Sequence, residues 1–218
     1  MCFSASVSFG AGVLLTGGGI YAMKQAESPK VLPFASTPLL FGLQQFSEGL
    51  FWITAPDPAM KLWTDTAMYL FLTFAFVVWP ILVPIAIWLM EPDKKRKKWM
   101  SYTMISGIAV GLYMLGSLIF TDVHAEIVGL HILYTFPIPF RDPVLWVYVA
   151  SMLIPLGISS YKGMKLLGGT MFLSLIYSTI LYFDFVISVW CFFAAVLSII
   201  VVFVLVTNKS RFSKLAAA

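Results

Sequence analysis

The sequence predicts an all-α membrane protein, a seven-transmembrane-helix bundle with its N-terminus outside and its C-terminus in the cytoplasm. Three observations predict it. Of the 218 residues, 60% are hydrophobic and only 11% are charged, against about 25% charged in a soluble domain. The charges are confined to short stretches, which leaves apolar runs matched to the roughly 30 Å hydrocarbon core at about 1.5 Å per helical residue. Lys and Arg also collect in every second link between those runs. The helical period of the runs excludes a β-barrel, the other structure that satisfies its backbone in lipid.

The first span covers 3–23; with no basic segment ahead of it, it reads as a retained helix rather than a cleaved signal. The second covers 32–54, after the polar link from Lys24 to Lys30. The third, 62–90, is long, and Pro80 and Pro84 should bend it by removing backbone donors. The fourth covers 99–121. A loop from Asp122 to Asp142 holds both histidines, and the fifth span, 143–161, begins at Pro143, a good first-turn residue. The apolar stretch from Leu167 to Thr207 is too long for one crossing. Asp184 and Ser188 are its only turn and N-cap residues, which divides it into spans at 167–183 and 186–207. Residues 1–213 thus form a single membrane domain, and 214–218 read as a translated cloning scar.

Orientation follows from the basic residues. Lys24 and Lys30, Lys94 through Lys98, Lys162 and Lys165, and Lys209 and Arg211 fall on one side. Lys61 and Arg141 stand alone on the other, among Asp57, Asp122, Glu126, Asp142 and Asp184. The basic side is cytoplasmic. The net charge of +4 is therefore a topological and lipid-headgroup signal, not a nucleic-acid footprint. Small residues repeat every fourth position at Ser4, Ser8, Gly12 and Thr16, and again at Thr103, Gly107 and Gly111. Such stripes let helix backbones approach closely in lipid. Trp52, Trp63, Trp99, Trp146 and Trp190 fall near span ends, as an aromatic belt would.

Placed by depth, the unusual polar residues gather in the outer half, with no comparable set in the inner half. Glu48 leads them, because a carboxylate at that depth costs about 2.5–3.5 kcal/mol unless protonated, paired or hydrated. Gln44, Glu48 and Trp52 share a helix face. Glu48 is a candidate acid/base or ligand group, or else a hydrogen-bonded helix clamp. His131 is the second candidate catalytic residue, as ligand or proton carrier. Its surroundings, Glu126 to Tyr134, are too apolar for an exposed loop and read as a short helix or re-entrant piece over the bundle mouth, with His131 and Tyr134 on one face. Gln44, Gln45, Trp52, Tyr134 and Trp190 are the candidate ligand-binding residues. Cys2 and Cys191 allow three readings: a disulfide, soft ligands joining Glu48 and His131 around zinc or copper, or apolar fillers. No close-spaced metal motif, retinal-binding lysine or nucleotide loop is present.

The opening Met1-Cys2-Phe3-Ser4-Ala5, the segment Gln44-Gln45-Phe46-Ser47-Glu48-Gly49 with Trp52, and Ser188 to Ala195 resemble a family of small bacterial polytopic inner-membrane proteins that begin Met-Cys-Phe-Ser and whose function is unknown. The resemblance spans the chain and implies a multi-pass protein of the bacterial inner membrane; it implies no activity. From the residues alone, the expected function is a small-ligand or metal-binding pocket in the outer half of the bundle. If enzymatic, it would perform metal-assisted hydrolysis or transfer on a lipid-like or small amphiphilic substrate. A transporter or channel, a seven-helix sensor working through a partner, and a structural subunit are the alternatives; oligomers are compatible with each.

Overall fold

The computed structural model describes residues 4–216. It is mostly helical, at 80%. Six helices among the described residues are long and apolar enough to cross a membrane: Ala5–Lys24, Pro58–Met90, Lys94–Phe120, Arg141–Ile158, Met164–Leu181 and Phe183–Thr207. The protein is multi-pass. The expected second span is also helical, as α2 (Leu32–Ala35) and α3 (Thr37–Thr54). It is not one of the six; Gln44, Gln45 and Glu48 lower its hydropathy, and all three are fully buried.

The first helix, α1 (Ala5–Lys24), is capped by Ser4 and lies along α3. Its small-residue stripe faces that neighbour: a Cβ added at Gly12 would sit 2.8 Å from the Phe46 ring. The third span divides into α4 (Lys61–Thr73), a π-helical turn at Phe74–Val78, and α5 (Trp79–Met90). Proline explains the turn. Trp79 N–H reaches back to the Phe74 carbonyl, and Pro80 has no N–H to offer Ala75, so the Ala75 carbonyl loses both helical donors. Tyr148 from α7 (Arg141–Ile158) supplies the missing one, donating its O–H to Ala75 O at 2.6 Å. On the opposite side α6 (Lys94–Phe120) packs on α5 through Gly107, where a Cβ would overlap the Pro80 carbonyl. That close approach is the packing expected of the Thr103-Gly107-Gly111 stripe.

The loop after α6 departs from expectation. Instead of a helix it forms a hairpin of β1 (His124–Val128) and β2 (His131–Thr135), with Val128 paired to His131. Gly129 at φ +61 begins the two-residue turn, where a positive φ suits glycine and the strand twist. A strand alternates faces, so Ile132 and Tyr134 point into the core while His131 lies on the other face. The predicted common face of His131 and Tyr134 does not exist.

The remaining spans are α8 (Met164–Leu181), α9 (Val186–Leu197) and α10 (Ile199–Thr207), followed by α11 (Lys209–Ala216). The division of the long apolar stretch falls where expected, but its chemistry differs. Asp184 lies in a 3-10 turn at Phe183–Phe185 and makes no cap bond, because α9 begins after Phe185. Ser188 points into the bundle instead. The aromatic belt is also smaller than expected: Trp63, Trp99 and Trp146 are exposed, whereas Trp190 is buried and Trp52 half-buried.

Candidate functional site

Two features occupy the half of the bundle that carries the hairpin: a buried polar cluster and a lateral groove. The cluster joins α3, α5 and α9. Ser188 donates to Glu48 Oε1 at 2.9 Å, Gln45 Nε2 approaches Glu48 Oε2 at 3.4 Å, and Trp79 Nε1 donates to Gln44 Oε1 at 2.8 Å. Trp79 is held for this by stacking on Phe41, with ring centroids 3.8 Å apart. Gln44 Nε2 lies beside the Cys191 thiol without forming a well-shaped hydrogen bond. Gln44 Nε2, Gln45 Oε1, Trp52 Nε1 and Ser8 Oγ are all buried without a partner among the described residues. Each such atom costs about 1–3 kcal/mol if it stays dry. Their concentration around Glu48 marks a place with hydrogen-bonding capacity to spare.

The groove lies between α7 and α8. These helices share the short link 159–163 and meet at that end, where Gly168 brings α8 against Leu156. Toward the hairpin they part around an open cavity of about 860 Å³. Leu145, Val149 and Leu175 line its body, Tyr134 and Phe136 of the hairpin roof it, and Arg141 stands at its rim. Arg141 has no hydrogen bond or ion pair among the described residues. Its neighbour Asp142 sits in the first turn of α7, where the helix dipole favours an acid. A second, largely apolar chamber of about 60 Å³ continues toward the lysine-rich end. Tyr148, Trp190 and Cys191 line both cavities and divide them.

The predicted site residues therefore separate. Tyr134, Trp190 and Cys191 line the groove, while Glu48, Gln44 and Gln45 lie behind its wall, reached through Cys191 and Trp79. Trp52 lies on the same helix as Glu48, away from both cavities. His131 packs against Tyr182 and Phe185, with centroids at 5.3 and 4.8 Å, and burial lowers its pKa from the usual 6.5. Cys2 lies outside the described residues, and Cys191 is a buried free thiol among them. Among the described residues no three His, Cys, Asp or Glu side chains converge as a metal ion needs. The expected zinc or copper centre thus fails to assemble from Glu48, His131 and Cys191, because two helix-borne groups face the bundle interior and the histidine faces the 182–185 turn.

Sequence reasoning missed two groups. Arg141, Leu145, Tyr148 and Met152 recur at helical spacing and could have been read as one face. The expectation of no comparable polar set in the half that carries the lysine-rich links is also wrong. Glu91 is 2% exposed and accepts from Ser160 N, Ser160 Oγ, Ser159 Oγ and Asp93 N at 2.6–3.4 Å. Beside it Asn208 bonds both backbone groups of Lys162, and Tyr161 donates to Met90 O. Burial pushes the Tyr161 phenol up to about 12, so it remains a donor. An acid within the lysine-rich link, opposite Ser159-Ser160, was the available signal.

The chain belongs to a family of unknown function, DUF6629, whose model matches residues 1–217. No curated protein and no solved structure matches it.

Proposed function

Membership of that family brings no activity with it, and on the geometry we propose that this is a seven-helix, N-outside protein of the bacterial inner membrane that binds a lipid-like amphiphile in the groove between α7 and α8. One observation carries the reading: a cavity of about 860 Å³ with an apolar body, and at its rim the unpaired cation Arg141. An anionic headgroup satisfies Arg141 while the chain covers Leu145, Val149 and Leu175. The orientation rests on the lysine-rich links, and the seventh crossing is α3, whose polar residues are sheltered inside the bundle.

The Glu48 cluster serves this site from behind. Gln44 and Glu48 set the polarity of the wall at Cys191, and the unused Gln44 Nε2 and Gln45 Oε1 hold water or a polar ligand atom there. Binding is favoured over solute flux because Ser151 and Ser174, in the middle of α7 and α8, donate to carbonyls of their own helices, and on these two helices Ser178 Oγ alone is buried without a partner among the described residues, too little for a polar path.

The test is photo-crosslinking in proteoliposomes with a single-chain anionic lipid carrying a mid-chain diazirine. Label concentrated on residues 145–149 and 175–190, and reduced in Arg141→Gln, is the expected result. Label spread evenly over the outward faces of α1 and α6 would sink the reading.

A further inference from the structure

The two cavities share a wall, and what lies beyond it bears on the ligand. On α8, Leu175 and Thr179 line the outer groove and Leu167 and Met171 the deep chamber; at spacings of four they form one continuous stripe. On α7, Leu145 and Val149 line the groove and Met152, Leu153 and Leu156 the chamber. The path is thus one channel, interrupted by Tyr148 and Trp190, whose rings meet edge-to-face at 6.2 Å. The two rings are held unequally. Tyr148 is fixed by its 2.6 Å bond to the orphaned Ala75 carbonyl, whereas Trp190 has one long bond, 3.3 Å, from Nε1 to Met171 O. Past the rings nothing charged lines the chamber; Thr37 and Ser198 are its hydroxyl groups, and the Ser198 hydroxyl is spent on the Ala195 carbonyl.

Resting on the amphiphile-binding reading, we infer that the deep chamber receives the end of the same ligand's chain, with Trp190 turning aside to admit it, and so sets the longest chain the protein accepts. The substrate class is a single-chain anionic amphiphile. The division between a groove with a cation at its mouth and a small apolar chamber beyond it matches a ligand with one charged end and one long tail. From Cys191 to Val201 the chamber wall follows ten residues of helix, roughly 15 Å at 1.5 Å per residue. A methylene moving from lipid to this chamber gains little, since both are apolar. A methylene beyond the chamber's end must be forced into packed protein. The signature is a cut-off in chain length rather than a steady rise.

The experiment measures displacement of the photoprobe in lipid nanodiscs by a homologous series of alkyl phosphates from octyl to octadecyl. Affinity for the wild type should stay level and then fall on the order of tenfold past one length. Ala194→Phe, which fills the chamber one turn below Trp190, should move the fall to shorter chains while leaving octyl phosphate unaffected. Met171→Ala, which enlarges it, should move the fall to longer chains, and it decides alone if Ala194→Phe does not fold. A cut-off unmoved by either variant overturns the inference and leaves the groove reading intact. Failure of every chain length to displace the probe defeats the groove reading, and this inference with it.

Discussion

Glu48 and Glu91 are two buried carboxylates at opposite ends of one bundle, and their surroundings differ in kind. Glu91 sits where α5 meets the link between α7 and α8, and four donors from Ser159, Ser160 and Asp93 converge on it. Around it Asn208, Tyr161 and Arg211 complete a network tied to backbone carbonyls. Glu48 sits among groups with capacity left over: Gln44 Nε2, Gln45 Oε1 and Trp52 Nε1 have no partner among the described residues. A polar network saturated by its own chain acts as a latch, and one with capacity to spare is suited to something that comes and goes. Burial alone did not distinguish them. The unused groups of the neighbouring side chains did.

The sharpest break of this comparison lies in Glu91→Ala. It strands the Ser160 donors and should cost about 3 kcal/mol or more of stability, read as a large fall in melting temperature in detergent, with binding per folded molecule retained. A loss under about 1 kcal/mol would mean that the latch is incidental. Tyr148→Phe should come next, at about 1–3 kcal/mol, because it leaves the Ala75 carbonyl buried without a donor; unchanged melting would show that the π-turn relaxes to satisfy itself. Glu48→Gln preserves shape and the Ser188 bond, so about 1 kcal/mol is expected, alongside a change in ligand binding that Glu91→Gln does not produce. Equal stability losses in Glu48→Gln and Glu91→Gln would erase the distinction between the two ends.

The smallest effect concerns pH. His131 has a folded pKa below its unfolded value of 6.5 because burial disfavours the imidazolium. Below about pH 6.5 the unfolded chain therefore binds the proton more readily, and stability falls as pH is lowered through that region. The protection factors of amides in the 131–135 strand, referred to the intrinsic exchange rate at each pH, should fall as pH is lowered from about 7 to 5, and His131→Phe should remove the dependence.

Much of this was legible residue by residue. The breaks between helices fall where the charged links and Pro143 put them, and the small-residue stripes at Gly12 and Gly107 do sit at close helix contacts. The hairpin was misread because an apolar stretch between two polar ends fits a buried helix as well as paired strands. The deciding cue, Val128-Gly129-Leu130-His131, is only a two-residue turn. The site was half legible: Glu48, Gln44 and Cys191 stood out by type and depth, but Arg141 and Tyr148 became meaningful only once α7 and α8 were seen to part.

What the sequence determined by itself is the solvent and the scaffold: lipid around the bundle, long apolar helices, and lysine-rich links confined to one end. These follow from composition and short-range periodicity, which act over one or two helical turns. What only the tertiary structure decided is which groups meet. Glu48 finds Ser188 across 140 residues of chain and Glu91 finds Ser160 across 69. The groove exists because two helices joined at one end diverge at the other. Such pairings are set by how helix faces pack, a property of the assembled bundle that no single segment carries.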